Sequence, residues 1–426
     1  MIRGTSDMIS LIESINILIY ILVSACYVYQ LFFVIVSFFK KGRGHTAAVN
    51  HKYALVIAAR NESAVIAQLI ESIRMQKYPK DLVDIYVIAD NCTDDTADVA
   101  RAAGALVYER FNNTLVGKGY ALDYMLKIIL SSERGKSYEG CFVFDADNLL
   151  DSNYIAEMNN VFDQGYRIVT CYRNSKNFGT NWISAGNALW FLRESKFLNN
   201  SRMLMGTSSA ISGTGFLVHM DIIRENNGWK HHTLTEDIEF SADNISSGEI
   251  IAYCGKAKIY DEQPVTFGQS WSQRMRWAKG FYQVFSRYGK RLMGGIGKMK
   301  SFSCFDMLMT ISPAMFLTFL SMFLNIGVLV YSMYPVFNIV LFRSTLEALV
   351  GIIVNYYLIF FMYGLLTLIT EWKDIKALAS KKIVYAFTFP IFMFTYVPIA
   401  IAALFRNVEW RPILHSDTKS IKDLSL

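Results

Sequence analysis

Cys141-Phe-Val-Phe-Asp-Ala-Asp147 places four apolar residues directly before two aspartates. A short apolar run of this kind predicts a buried β-strand, so the two carboxylates stand at the strand's carboxyl end. Two earlier runs, residues 54–59 and 84–89, have the same form. The first is followed by Arg60-Asn61-Glu62 and the second by Asp90. Polar and acidic side chains therefore follow three predicted strands.

Segments with helical spacing separate these strands between Tyr53 and about Tyr260. The pattern predicts helices at 63–75, 96–103 and 119–130 and a further strand at 105–108. Alternating strands and helices indicate an α/β fold, in which a mostly parallel sheet is covered by helices on both faces. Ligands bind at the carboxyl ends of the strands in such sheets. We therefore expect a functional site where the polar strand ends converge.

The composition excludes an ordinary soluble protein. Of the 426 residues, 53% are hydrophobic and only 18% are charged, and the mean hydropathy is +0.25. Long uncharged windows hold the excess, and each is long enough to cross a bilayer as a helix. The first window is too long for a signal peptide and lacks a cleavage site. The second contains Pro335 and could be divided differently. The windows are residues 14–39, 307–343, 348–370 and 383–405.

Basic residues next to the windows predict the orientation in the membrane. Lys40, Lys41, Arg43, His45 and Lys52 follow the first window, and four lysines lie between positions 373 and 382. Basic flanks mark the cytoplasmic side, which puts the α/β domain in the cytoplasm. Four spans would then put the tail outside, with Arg406, Arg411 and Lys419. Either the tail breaks the rule or the number of spans is wrong by one.

These features divide the chain into five regions. They are a first span with its basic flank (1–45), an α/β domain (46–262), amphipathic interfacial helices (263–304), about three spans (305–405) and a polar tail (406–426). The six cysteines have no metal-ligand spacing and fit a reducing compartment. The net charge of +6 is modest, and the basic residues lie beside the spans. Membrane lipid is therefore the expected partner, and nucleic acid is not.

Two acidic pairs are candidates for chemistry. Asp145 and Asp147 could hold Mg²⁺ or Mn²⁺, which favour a few carboxylates together with phosphate oxygens. A solvated acidic loop is the simpler alternative. Thr235-Glu236-Asp237 could supply a carboxylate that accepts a proton from a hydroxyl group. It also has the form of a helix start capped by Thr235, and both interpretations can hold together.

The stretch 263–305 contains no acidic residue and eight basic ones, from Arg274 to Lys300, with aromatic residues among them. This composition is typical of an amphipathic helix on a membrane surface. Gln273, Arg276 and Trp277 form the most specific signal within it. An arginine can bind a diphosphate through two hydrogen bonds, and a tryptophan offers a flat apolar face to a sugar ring.

The chain resembles the processive family 2 glycosyltransferases in four motifs that follow one another in the same order. They are Asp90, Asp145-Ala-Asp147, Thr235-Glu-Asp237 and Gln273-x-x-Arg276-Trp277. That group includes the cellulose, chitin, hyaluronan and poly-N-acetylglucosamine synthases. The segments 90–96, 117–123 and 213–216 look closest to a bacterial exopolysaccharide branch. The resemblance covers about 53–300 and implies a GT-A fold in a bacterial plasma-membrane enzyme. That enzyme would polymerise sugar from a UDP-sugar, with UDP-glucose as the first guess.

The resemblance also implies a role for each matching residue. Asp237 would be the catalytic base and Asp147 the metal ligand. The donor nucleotide would contact Arg60, Glu62, Asp90, Lys118 and Asp145. The acceptor and the diphosphate would contact Gly213, Thr214, Gly215, Glu236, Gln273, Arg276 and Trp277.

Departures from the family pattern leave alternatives open. Gly213-Thr-Gly-Phe216 replaces the Phe-Phe-Cys-Gly-Ser motif of cellulose synthases, which argues against a pure cellulose product. Four spans are fewer than cellulose synthases have, which favours a non-processive enzyme that makes a glycolipid or lipid-linked sugar. A third hypothesis is a catalytically idle scaffold. In a polymerising enzyme the growing glycan would be the acceptor. The sequence leaves open whether the protein has an export partner or forms a homo-oligomer.

Overall fold

Eight strands form one mixed sheet in the computed structural model of the chain, which describes residues 2–42, 44–299, 301–312, 315–334, 337–410, 412–413 and 415–424. Of the residues named above, Arg43, Lys300, Pro335 and Arg411 lie outside these ranges. The strands are β1 (Tyr53–Ala59), β2 (Val83–Asp90), β3 (Leu106–Arg110), β4 (Gly140–Asp145), β5 (Leu149–Leu150), β6 (Ile168–Ser175), β7 (Phe216–His219) and β8 (Ile251–Asp261).

The strand order across the sheet is β3-β2-β1-β4-β7-β6-β8-β5. β3, β2, β1 and β4 run parallel, which confirms the predicted half of the sheet. β7 lies antiparallel between β4 and β6, and β5 is antiparallel to β8, so the other half is mixed. The register pairs Ala58 with Asp145 and Ala59 with Ala89. The acidic ends of β1, β2 and β4 therefore lie at one edge.

Helices lie between the strands, and the three predicted helices are confirmed to within three residues at either end. The helices up to the last strand are α1 (Ile2–Tyr27), α2 (Tyr29–Phe39), α3 (Ile66–Arg74), α4 (Thr96–Ala102), α5 (Lys118–Ser131), α6 (Tyr154–Phe162), α7 (Trp182–Arg193), α8 (Asn200–Met205), α9 (Met220–Glu225) and α10 (Glu236–Ser246). A π-helical turn, Glu194–Asn199, joins α7 to α8.

Two apolar clusters cover the two faces of the sheet. Alternate residues of β1 point to opposite sides, so Val56 packs in one cluster and Leu55 and Ile57 in the other. α5 contributes Leu122 to the first cluster, and α3 contributes Ile70 to the second. All five side chains are fully buried. Burial on both faces explains why these strands are apolar throughout and do not alternate with polar residues.

Left-handed asparagines turn the chain at the acidic edge. Asn61 follows β1 with φ +57°, and Asn91 follows β2 with φ +52°. Asparagine tolerates this conformation better than most residues because its short side chain can bond locally. Here Asn61 Oδ1 accepts a hydrogen bond from Thr93 N–H at 2.8 Å. The two loops are thus tied together beside the site.

Further helices follow the sheet domain. They are α11 (Phe267–Lys298), α12 (Phe302–Ile311), α13 (Met315–Ser332), α14 (Ile339–Thr370), α15 (Ala379–Phe394), α16 (Tyr396–Phe405) and the short α17 (Ile421–Leu424). By length and composition, three helical stretches of the described chain could cross a membrane: Ser6–Phe39, Ile339–Thr370 and Ala379–Phe405. A fourth is possible if the bent pair Phe302–Ile311 and Phe316–Ser332 forms one span. The predicted window 307–343 is therefore divided between three helices.

The tail packs against the α/β domain, on which the sequence left two alternatives open. After Phe405 the chain returns to the sheet, where the Trp410 ring lies 5.2 Å from the Arg60 guanidinium. His415 Nδ1 is 2.9 Å from a carboxylate oxygen of Glu62. Sequence order alone gave no sign of this return, because these partners lie more than three hundred positions apart.

A buried ion pair joins the domain to the first helix after α11. Arg202 on α8 donates from Nε to Asp306 Oδ2 at 2.6 Å and from Nη2 to Asp306 Oδ1 at 3.0 Å. Tyr29 of α2 donates to the same carboxylate at 2.7 Å. Three segments distant in sequence therefore meet at one carboxylate.

We predict that Arg202→Met lowers the free energy of unfolding by about 3 to 5 kcal/mol, because it leaves the Asp306 charge buried without its partner. The matched control is the double variant Arg202→Met with Asp306→Leu, which removes both charges and should recover most of the loss. Thermal unfolding in detergent would measure both. A double variant no more stable than the single one would contradict this view of the pair.

Candidate active site

Lys118 is the central cation of the acidic edge. It is the first residue of α5, after Gly117 at φ +136°. Its Nζ donates to Asp145 Oδ1 at 2.5 Å and to the carbonyl oxygen of Gly213 at 2.8 Å, and lies 3.9 Å from Glu236 Oε1. Burial disfavours the ammonium ion, but the neighbouring carboxylates outweigh this effect and raise the Lys118 pKa. One lysine thus joins three predicted site residues.

The loop Gly213-Thr-Gly215 fixes Asp145 from the other side. Thr214 Oγ1 accepts the Asp145 N–H at 2.8 Å and donates to Asn148 Oδ1 at 2.5 Å. Both glycines have positive φ, +82° and +66°. A Cβ added at Gly215 would lie 2.7 Å from Cys171 Sγ, so the loop needs glycine there for space as well as conformation.

Asp147 is buried and oriented by its neighbours. Glu262 N–H donates to Asp147 Oδ2 at 2.7 Å, and Asn148 Nδ2 donates to Oδ1 at 3.2 Å. Burial alone would raise the Asp147 pKa, but the charges of His415 and Lys176 outweigh it and hold the pKa below its usual value. The group is therefore an anion that is shielded from bulk water.

Within the described residues, no three acidic, histidine or cysteine side chains form a complete metal cage. An ion such as Mg²⁺ is often held by only one or two carboxylates, while substrate phosphates and water complete its shell. Asp147, ionised and next to Asp145, is a suitable oxygen donor of this kind. The residues present therefore fit the predicted metal.

Glu236 and Asp237 begin α10, as predicted. Thr235 occupies the N-cap position but makes no capping hydrogen bond, so only the position of the predicted cap is confirmed. Burial raises the Glu236 pKa to about 7, and removal from bulk water also raises the Asp237 pKa. A Cβ added at Gly213 would lie 3.9 Å from both Asp145 Oδ2 and Asp237 Oδ2. The two carboxylates therefore face the same loop.

α11 brings the predicted aromatic and basic motif to this region. Arg276 Nη1 donates to the carbonyl oxygen of Leu234 at 3.2 Å, just before the acidic pair. Gly280 has no side chain and therefore lets α11 approach Thr235 closely. A Cβ at this position would lie 2.4 Å from Thr235 Oγ1. Gln273 Oε1 is buried and has no hydrogen-bond partner among the residues described.

Trp277 reaches the glycine loop through Arg173, a residue that the sequence did not single out. The rings of Trp277 and Phe191 meet edge to face at 5.7 Å, and the Arg173 guanidinium lies 3.7 Å from the Phe191 ring. Arg173 also donates to Asp261 Oδ2 and to the carbonyl oxygen of Ser212, each at 2.6 Å. Arg173 lies inside a strand, where no acidic motif marked it.

Arg60, Glu62 and Asp90 form a second group, further along the edge. Asp90 pairs with Arg110 at 2.5 Å, and Arg110 also donates to the carbonyl oxygen of Leu115 at 2.7 Å. None of the hydrogen bonds described links this group to Lys118. The two groups lie on neighbouring strand ends and are connected through the sheet.

The tail supplies a further cation, which lies beside Glu62. Asp147, Glu62 and Glu262 surround His415 and raise its pKa to about 10, although burial opposes the charge. Ser416 and Asp417 donate their backbone N–H groups to Glu262, at 3.1 and 2.9 Å. His415 and Trp410 were missed because no local pattern marks them as site residues.

We predict that Glu236→Gln stabilises the protein above neutral pH. The raised pKa means that the folded state holds the Glu236 proton more tightly than the unfolded state, so wild-type stability falls as pH rises from about 4.5 to about 7. Glutamine removes this loss, which we expect to be on the order of 1 to 3 kcal/mol at about pH 8 and near zero at about pH 4. Thermal unfolding at both pH values measures it.

The exposed Asp221→Asn variant is the control, since Asp221 keeps about half of its side chain in solvent. An equal change in melting temperature at both pH values in Glu236→Gln would contradict the raised pKa of Glu236.

Two bacterial proteins of known name are similar to this chain over a little more than half of its length. Beta-monoglucosyldiacylglycerol synthase of Nostoc sp. is 27% identical over 269 residues, which are 60% of this chain and 54% of that protein. Poly-beta-1,6-N-acetyl-D-glucosamine synthase of Staphylococcus aureus is 26% identical over 243 residues, 54% of this chain and 55% of that one. The chain thus spans about half the length of the curated relatives it matches.

A mannosyltransferase of Pyrobaculum calidifontis, solved with GDP-Man and Mn²⁺, has a similar fold. The TM-score is 0.55 at 14% identity, and the alignment covers 92% of this chain and 99% of that one. Residues 51–280 match the sequence model of the family described as "Glycosyltransferase like family 2". Because this match takes in more than half of the chain, the protein belongs to that glycosyltransferase family, and its sheet domain has the expected GT-A fold.

Proposed function

We propose that the protein is an inverting, metal-dependent hexosyltransferase of the bacterial plasma membrane that uses a UDP-sugar, with UDP-glucose as the first donor to test. The observation that carries the proposal is the convergence of Lys118, Asp145 and Asp237 on the Gly213 loop. Basic residues beside the first span support a cytoplasmic catalytic domain.

The donor nucleoside binds at Arg60, Glu62 and Asp90. Arg110 holds the carboxylate of Asp90 in one orientation, which suits a group that accepts a hydrogen bond from one edge of a base. Lys118 and Asp145 lie nearer the glycine loop and face the sugar and diphosphate. Asp147 would hold Mg²⁺ or Mn²⁺, and the ion would supply the positive charge that favours departure of the diphosphate.

Asp237 is the general base. Its carboxylate takes the proton from the acceptor hydroxyl, and that oxygen forms a bond to the anomeric carbon of the donor sugar. The bond from this carbon to the diphosphate breaks, and UDP leaves with the electron pair. A raised pKa suits this step, since a base works best when its pKa approaches the working pH.

The acceptor enters along α11. Trp277 offers its ring to the terminal sugar, Arg276 faces the diphosphate, and the unpartnered oxygen of Gln273 can accept a sugar hydroxyl. Arg173 connects this side to the glycine loop and keeps Phe191 against Trp277. Glu236 remains beside Lys118 and contributes to the charge balance of the acceptor loop.

Two products are equally well supported. The relatives named above include a polysaccharide synthase and a glycolipid synthase. The Gln273-x-x-Arg276-Trp277 motif favours a polymer, and the small membrane part favours a single transfer to lipid. An idle scaffold is disfavoured because every acidic motif is intact.

We predict that Asp237→Asn lowers UDP release in the presence of acceptor by about 100- to 10,000-fold, the usual contribution of a general base. The amide keeps the shape of the side chain, so UDP binding measured by calorimetry should stay within about threefold of wild type. Asp221→Asn serves as the matched surface control. Full transfer activity in Asp237→Asn refutes the assignment.

The product assay separates the functions. Purified protein is incubated with a panel of radiolabelled UDP-sugars and Mn²⁺, with and without diacylglycerol. Polymer that lengthens with time identifies a synthase, and a single-sugar lipid identifies a glycolipid enzyme. Absence of donor turnover with every sugar and acceptor contradicts the enzymatic proposal.

A further inference from the structure

The apolar stretch Ala379–Phe405 is long enough to cross a membrane, with 27 residues and a mean hydropathy of 1.9 in its most apolar window. A helix that crosses must leave its two ends on opposite faces of a hydrocarbon layer about 30 Å thick. α15 and α16, which form this stretch, do not separate their ends in that way. Contacts at the start, the middle and the end tie them to the catalytic domain.

The start of α15 is attached to the sheet domain. Lys381 Nζ donates to the carbonyl oxygen of Gly179 at 2.6 Å, in the loop between β6 and α7. Just before the helix, Asp374 Oδ1 pairs with Lys258 of β8 at 2.5 Å. The loop 371–378 therefore lies against the catalytic domain.

The middle runs alongside α11. Arg274 Nη1 donates to the carbonyl oxygen of Phe392 at 3.2 Å and to Thr395 Oγ1 at 2.8 Å. Eight residues further along α11, Tyr282 donates to the carbonyl oxygen of Ala400 at 3.0 Å. The two helices therefore run in the same direction.

α11 itself stays on the domain over this length. Further along it, Arg287 pairs with Glu239, and Arg291 Nη1 lies 2.7 Å from Asp243 Oδ1. Both acids belong to α10 of the catalytic domain. α16 thus ends near the domain, beside a basic helix that cannot enter hydrocarbon.

The far end returns to the sheet within a few residues. Positions 406–409 separate Phe405 from Trp410, whose ring lies 5.2 Å from the Arg60 guanidinium after β1, and so short a segment cannot span the bilayer. Further on, Lys422 Nζ lies 3.4 Å from Glu71 of α3. The chain after α16 and the loop before α15 therefore contact the same domain.

One face of α15 is apolar and about half exposed, although Phe387 on this face also packs against Phe361 of α14. Ile383, Val384, Phe387 and Ile391 recur at helical spacing, and each exposes 52–55% of its surface. The opposite face, with Ala386, Phe389 and Phe392, is buried against α7 of the catalytic domain and against the last part of α14. A third of the most apolar window is buried, against 6% for Ile339–Thr370. One-sided burial distinguishes this helix from one surrounded by lipid.

We propose that Ala379–Phe405 lies along the cytoplasmic membrane surface, with its apolar face in the lipid boundary and its other face on the catalytic domain. A helix in this position needs an apolar face and basic residues at headgroup level. Lys376 and Arg406 flank the stretch and would meet anionic lipid headgroups.

The membrane is then crossed by Ser6–Phe39, by the bent pair Phe302–Ile311 and Phe316–Ser332, and by Ile339–Thr370. The tail and the loop 371–378 both lie in the cytoplasm, so Arg406 and Lys419 obey the rule for basic residues. The inference rests on the proposed membrane location but not on the proposed reaction.

Cysteine labelling of the full-length protein tests the arrangement. In a Cys26→Ser, Cys92→Ser background, single cysteines replace Lys136 in the catalytic domain, Tyr334 between α13 and α14, or Asn407 after α16. A membrane-impermeant maleimide is applied to inside-out and right-side-out vesicles. We expect Asn407→Cys to be labelled with Lys136→Cys in inside-out vesicles, while Tyr334→Cys is labelled only in right-side-out ones.

Labelling of Asn407→Cys on the same side as Tyr334→Cys would show that the helix crosses and would overturn the inference. Labelling of Lys136→Cys and Tyr334→Cys from one side contradicts the membrane arrangement as a whole. UDP release from the same variants is a separate readout, so failure of the reaction can be told apart from failure of the topology.

Discussion

Acidic side chains crowd the carboxyl edge of the sheet, where they repel one another unless cations lie between them. Glu62, Asp145, Asp147, Glu236 and Asp237 are all held partly or fully out of water, and an unpaired buried charge is costly. Cationic side chains from separate parts of the chain compensate these negative charges. Lys118 comes from the start of a helix, Arg173 from inside a strand and His415 from the tail.

The same balance accounts for the geometry of the site. Because Lys118 contacts the Gly213 carbonyl as well as Asp145, the glycine loop cannot move without disturbing the charge pair. Arg173 couples the loop to the aromatic residues beside Trp277. A site without these charges would lack these restraints. The side chains that compensate the charges therefore also fix the position of the glycine loop.

Local signals explain what could be predicted from the sequence. β1, β2 and β4 are uninterrupted apolar runs, and the acids directly after them inevitably lie at one edge. β6 and β8 contain Arg173 and Lys258, so no such run marks them. The start of α10 at Glu236 could be predicted from Thr235 and the acids after it. The partnership of Glu62 with His415 could not, because only the folded chain brings them together.

The docking of the tail has a consequence for the order of synthesis. A ribosome produces residues 53–261, with all the acids of the site, well before it reaches His415. The helices between Phe302 and Phe405 are synthesised before the tail. Until then Glu62 and Asp147 lack their imidazolium partner. In the nascent domain the charges of Glu62 and Asp147 are therefore not compensated by His415 until the helices before the tail have been completed.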